Sequence, residues 1–157
     1  MSMYFDVGDE TLWNPSNGAG RLFLRHVEVF EAELGLPSGI GQGENWCDPD
    51  TLEVDPVAYE EFARGLVAWH CRVGHSVVLT LSEGFVATAL ALARRAGIEV
   101  ELPERGAGAD RVHDGVQHDV QFSGTPRTAS EDSVTDALGT LDALDARARQ
   151  VDSWMPR

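Results

Sequence analysis

The stretch from Asn14 to Leu36, NPSNGAGRLFLRHVEVFEAELGL, carries a start signal, a periodic body and a stop signal for one amphipathic helix. It limits what this chain can fold into more than any other segment. Ser16 or Asn17 can accept from the first free backbone N–H groups of a helix, and Gly35 followed by Pro37 closes it. At about 100° per residue, Leu22, Phe23, Val27, Val29, Phe30 and Leu34 fall on one broad apolar arc. Arg21, Arg25, Glu28 and Glu31 fall on the opposite side. Such an arc must be covered by another element. A second capped segment can supply the cover. Asp55 precedes Pro56, which needs no N–H at a first helical position, and a helix follows from Pro56 to Arg72. Its buried arc is Tyr59, Phe62, Ala63, Leu66, Trp69 and Val73.

The other elements follow from shorter signals. MYFDVG alternates apolar and polar residues and predicts a first strand. PSGIGQGENWCDPDTLEVD reads as a glycine-rich connection in which Trp46 anchors the loop. SVVLTL is a β-branched and leucine run of strand length. Ser82 then caps a third helix, EGFVATALALARRAG, and IEVEL returns as a strand, giving a strand–helix–strand unit near residues 75–102 with parallel strands, or with an antiparallel return because the helix segment is short. After Pro103 come a linker, PERGAGAD, and a hairpin around Asp114-Gly115. Val134, Leu138, Leu141, Leu144, Ala148 and Val151 recur at helical spacing, so the end is an acidic helix with a narrow apolar stripe that either docks on the body or serves as a partner surface. The expected fold is α+β, with three main helices on a small sheet and an acidic C-terminal helix; the alternative is α/β with a mainly parallel sheet. The expected division is one globular domain over 1–122, a flexible linker over 123–132 and the acidic helix over 133–152.

Charge narrows the function classes. The formal net charge is −14, and all 12 basic residues are arginine. With only two isoleucines, Ile40 and Ile98, that bias points to a GC-rich coding sequence and a high-GC bacterium. Excess acid opposes binding to a nucleic-acid backbone or an anionic membrane. It suits a basic protein partner, or simple solubility. The N-terminus has no basic region followed by an apolar run, and the apolar stretches read as too short and too interrupted to span a bilayer. The expectation is a soluble cytoplasmic protein. Cys47 and Cys71 read as free thiols.

The histidines raise the question of chemistry. His26 falls inside the apolar arc of the first helix, with Glu33 two turns along the same side, and His70 falls near the centre of the second arc. If the two helices face each other, His26, His70, Glu33 and Tyr59 line a shared pocket. His26 and His70 would serve as acid and base, with Glu33 orienting one imidazole and Tyr59 donating. The plainer reading is a satisfied core histidine on each helix. Either way His26 is expected to be mostly buried and bonded to Glu33 or to the second helix. HCRVGH sets His70, Cys71 and His75 close together, but neighbouring helical positions diverge by about 100°, and no second ligand pair accompanies them, so no metal is assigned. His113 and His118 fall in the expected hairpin. TLSEGF lacks the nucleophile-elbow pattern, leaving Ser82 as a cap whose helix start could accept an anion. GAGAD is too short for a dinucleotide fingerprint, and no cofactor is assigned.

The run YFDVGDETLWNPSNGAGRLFLRHVEVFEAELGLPSGIG, together with SEGFVATALALARRAGIEV, resembles a family of small actinobacterial proteins classed as a domain of unknown function. The resemblance spans roughly residues 1–102, leaves the tail after Pro103 outside, and implies a cytoplasmic bacterial protein without supplying site residues. The leading expectation is a non-catalytic acidic binding protein, immunity- or regulator-like, that engages a basic protein partner. The alternative is a cofactor-independent small enzyme or small-molecule-binding protein using the His26/His70/Glu33 pocket. A homodimer is compatible with either.

Overall fold

The computed structural model describes residues 2–42, 50–101 and 131–156, with backbone alone over 131–140. In chain order the elements are β1 (Tyr4–Val7), β2 (Glu10–Trp13), α1 (Asn17–Leu34), β3 (Ile40–Gln42), β4 (Thr51–Val54), α2 (Pro56–Arg72), α3 (Ser76–Arg95) and α4 (Glu131–Trp154). The α+β class is the one expected from the sequence. The four strands lie in the order β2-β1-β4-β3. β1 and β4 are parallel, with Phe5 beside Leu52, while β1–β2 and β3–β4 are antiparallel, so the sheet is mixed rather than mainly parallel.

The caps of α1 and α2 form as their sequences dictate. Ser16 Oγ accepts from Ala19 N at 3.4 Å, and Gly35 takes the left-handed conformation at φ 66° while its N–H donates to Glu31 O. Asp55 Oδ1 accepts from Val57 N at 2.9 Å, directly ahead of Pro56. The β1–β2 hairpin turns at Gly8, whose φ of 56° suits a tight turn between strands. Strand β2 gives Leu12 and Trp13 to the core. Strands β3 and β4 fall inside the segment expected to be a loop, where TLEV gives Leu52 and Val54 to the core. Trp46, Cys47, the expected hairpin and residues 123–130 of the expected linker lie outside the described residues, and Glu131 and Asp132, the last two of that linker, already belong to α4.

One expectation fails outright. SVVLTL is the first two turns of α3, not a strand, and Ile98–Glu101 forms no strand among the described residues, so no strand–helix–strand unit exists there. A continuous apolar run of six residues has no period that separates strand from helix. Here it precedes an alanine-rich helix former, and extending an existing helix adds one hydrogen bond per residue fixed, whereas a lone strand gains none. The hydroxyls join the helix: Thr80 Oγ1 donates to Ser76 O at 2.9 Å, and Ser82 Oγ to Val78 O at 2.8 Å. At 20 residues α3 is also long and apolar enough to cross a membrane by length and composition, which corrects the reading of its sequence as two short pieces; half of the apolar window is buried inside the fold.

α4 docks on the body. Leu141, Leu144 and Ala148 are buried, and the helix packs chiefly against α3. Arg94 pairs with Asp145. The Arg95 side chain donates to Leu12 O at 2.8 Å, to Asp152 O and Met155 O at 2.7 Å each, and to the Asp152 carboxylate. One guanidinium therefore ties β2, α3 and the end of α4 together.

Candidate functional site

The four residues singled out by the sequence do not share a pocket. Tyr59 is fully buried and its hydroxyl donates to Ala89 O of α3 at 3.1 Å; burial pushes its pKa far up, so it stays a neutral core donor. His70 is 2% exposed, and neither ring nitrogen has a partner among the described residues. Burial lowers its pKa, against a smaller opposing pull from Glu83 on α3. His26 and Glu33 lie elsewhere, on the outer side of α1.

His26 is half-buried rather than mostly buried, and its partner is neither Glu33 nor a group on α2. Its Nδ1 lies 2.8 Å from Leu22 O, one turn back on its own helix, which fixes the proton on that nitrogen because a carbonyl can only accept. The ring stacks on Phe85 of α3, centroids 5.4 Å apart. The physical reason is a rotation of α1: its buried face is Gly20, Phe23, Val27 and Phe30, while Leu22 and Val29 stand 58% and 63% exposed. The apolar arc is wider than the strip that the sheet and α2 cover, and its far side is left facing α3 and solvent.

That far side forms the site. Positions 22, 26, 29 and 33 of α1 face positions 78, 81, 85 and 88 of α3 across an open trough. The helices run antiparallel along it: Leu22 shares one cavity with Thr88, and Glu33 shares the other with Val78. The first cavity, about 270 Å³, is closed at its end by Trp13 and Met155. The second, about 400 Å³, is closed by Trp69. The His26–Phe85 stack lies where the two meet. An aromatic chain supports the floor. Phe23 and Phe30 each contact Phe85, at 5.4 and 4.9 Å between centroids, and Trp69 meets Phe30 edge-on at 4.8 Å. At the far end Trp69 Nε1 donates to Glu33 Oε1 at 3.3 Å, which joins α1 to α2.

Sequence reasoning missed Val78 and Leu81 as site residues because SVVLTL was assigned to a strand, which also hid their stripe with Phe85; Trp69 was assigned to the buried arc of α2. The spacing was present: Val78, Leu81 and Phe85 stand at i, i+3 and i+7, one stripe of a helix. Ser82, expected at a helix start, is buried in mid-helix and its hydroxyl is committed to Val78 O and Leu79 O, so no anion-binding terminus exists at that position. The true start of α3 follows His75, which makes no side-chain cap. Cys71 is half-buried, and burial raises its thiol pKa despite Arg72 next to it, which opposes nucleophilic use. Among the described residues no three His, Cys, Asp or Glu side chains are grouped to hold a metal ion.

The chain belongs to the DUF6086 family, a family of unknown function whose model matches residues 1–157. The match includes the tail after Pro103, which the sequence resemblance had left outside. No curated protein and no solved structure matches the chain.

Proposed function

We propose that this DUF6086 protein is a non-catalytic binding protein of a regulatory or immunity kind, cytoplasmic in an actinobacterial host, that engages a basic protein partner through the α1–α3 trough. The observation that carries the reading is the set of large apolar side chains left in water along the trough: Leu22 at 58%, Val29 at 63%, Val78 at 37% and Leu81 at 74% exposure. Scattered exposed apolar residues need no explanation, but a contiguous stripe on two adjacent helices is the mark of an interaction surface. The formal charge of −14 adds a second support, since it steers basic partners toward the chain and repels acidic ones. Covering the stripe would contribute about 25 cal/mol per Å² of apolar surface removed from water.

Leu81→Glu places a charge in the trough, and Val57→Glu places one on a residue 78% exposed at the start of α2, away from it. Cross-linked capture from host lysate should recover a basic protein with wild type and with Val57→Glu, lose it with Leu81→Glu, and weaken at raised salt. Equal capture by all three chains would sink the reading.

A second reading keeps one feature of the histidine pocket. His26 and Glu33 both line the cavity of about 400 Å³, a volume within the range of small-ligand sites. His70 and Tyr59 are absent from that lining, so an acid–base pair of two histidines is not available there. A small-molecule site would rest on His26 and Glu33 alone, and a fragment screen by ligand-observed NMR, repeated on Leu81→Glu, tests it.

A further inference from the structure

We infer that the trough is built to hold an α-helix: a basic amphipathic segment of the partner, laid along α1 and α3 with a cationic residue at the Glu33 end. This rests on the binding reading above and specifies its occupant. The first argument comes from the hydrogen-bonding groups of the walls. Both walls are helices, so their backbone groups are already paired and offer no strand edge. The polar side chains in the trough are largely committed to their own helices as well. His26 Nδ1 is held by Leu22 O, Ser82 Oγ donates to Val78 O, and Thr88 Oγ1 donates to Gly84 O at 2.8 Å. An extended peptide lying there would bury backbone N–H and C=O groups with few partners, whereas a helix satisfies its own. The occupant that fits an apolar trough with few free donors or acceptors is therefore helical.

The dimensions agree. From Ala19 to Glu33 the trough follows α1 for about 21 Å at 1.5 Å per residue, which accommodates about four helical turns. The two flanking ridges step by three and four residues, the spacing that accepts side chains from a third helix. Charge gives the direction. Among the described residues lining the two cavities, Glu33 bears the only carboxylate and no arginine is present. One Glu33 oxygen accepts from Trp69 at the mouth, which holds the carboxylate at that end. A second copy of this chain would oppose its own excess of 14 negative charges to an equal excess. A basic helix meets no such repulsion.

The test is a peptide-display selection on the immobilised full chain, using random peptides of about 15 residues, with Val29→Glu and Leu81→Glu chains as counter-selections. Enriched peptides should carry apolar residues at i, i+3 or i+4, and i+7, with arginine or lysine toward one end. Once synthesised, they should gain helical circular dichroism on binding. Leu81→Glu should weaken them at least about tenfold and Glu33→Gln about threefold, while Val57→Glu leaves them unchanged. Glu33→Gln retains an oxygen that can accept from Trp69, so its effect reports charge. Urea midpoints equal to wild type would show that the variants fold. Enrichment of proline-bearing or acidic peptides, binding indifferent to Leu81→Glu, or no enrichment overturns the inference. If host capture depends on Leu81 while the selection gives no helical pattern, the binding function stands and the helical occupant falls. A dimer by sedimentation that Leu81→Glu dissociates would assign the trough to a second copy and overturn the inference too.

Discussion

The two halves of α3 are alike in composition and opposite in fate. From Phe85 to Ala93 almost every apolar side chain is buried, with α4 packed on this end of the helix. From Ser76 to Leu81 the side chains are just as apolar, yet Val77 and Leu81 stand more than half exposed. The difference is not one of hydrophobicity. The C-terminal half has a partner helix held by two arginines, Arg94 and Arg95, and the N-terminal half has no comparable cover among the described residues. One helix thus carries a completed interface and an open one. The comparison predicts that equivalent truncations have unequal costs on the two sides.

The largest effect is expected at the covered end. Leu144 of α4 is 1% exposed. Leu144→Ala should lower unfolding stability by about 3 kcal/mol through lost burial and the cavity left behind, read as a fall in urea midpoint at constant slope. A loss below about 1 kcal/mol would mean that α4 is a loose appendage and that the contrast between the halves is false. Arg95→Ala comes next, at about 2 kcal/mol, since it strands the Leu12, Asp152 and Met155 carbonyls around a side chain only 10% exposed. Limited proteolysis should then cut α4 before the rest of the chain. Uniform cutting would show that Arg95 does not hold that helix.

His70 gives a smaller, pH-dependent effect on the α2–α3 contact. Its folded pKa lies below the ordinary 6.5, chiefly through burial. Well above pH 6.5 the ring is neutral in folded and unfolded chains and adds no pH dependence to stability. As pH falls from 6.5 toward the folded pKa, the unfolded chain takes up a proton that the folded chain does not, and stability drops by at most about 1.4 kcal/mol per pH unit. Urea midpoints should decline for wild type as pH falls from about 7.5 to about 5.0, a window that brackets the ordinary histidine value, and decline less for His70→Leu. Equal declines would assign the acid sensitivity to carboxylates instead.

How much of this was legible in the sequence depended on punctuation. α1 and α2 announce themselves through Ser16, Gly35, Asp55 and Pro56, and their limits matched closely. Strands β2, β3 and β4 have three or four residues each, too short for alternation to register, and the central β1–β4 pairing joins segments far apart in the chain. α3 misled because its first turns lack a cap: His75 offers no side-chain bond, and Ser82 imitates a cap seven residues too late. The site was misplaced for a related reason. A helical wheel ranks residues by polarity and cannot say which part of a wide apolar arc its neighbours will cover. His26 and Leu22 lay inside the arc of α1, but the sheet and α2 take the side centred on Phe23, Val27 and Phe30. Glu33 and His26 line one cavity, while His70 and Tyr59 are turned to the core.

The smallest effect is the one on which the comparison turns. Leu81 is 74% exposed, so Leu81→Ala removes apolar surface that water already touches and leaves no cavity. Alanine is also the better helix former, by a few tenths of a kcal/mol, and position 81 lies well inside α3. The expected change in unfolding stability of the isolated chain is within about 0.5 kcal/mol, in contrast to the loss at Leu144 for the same chemical deletion. With a bound partner the ranking should reverse for Leu81: the truncation should weaken binding by about tenfold while leaving the urea midpoint of the free chain in place. A stability loss of about 2 kcal/mol or more in the free chain would show that Leu81 is already covered, by this chain or by a second copy, and the open half of α3 would then be as complete as the closed one.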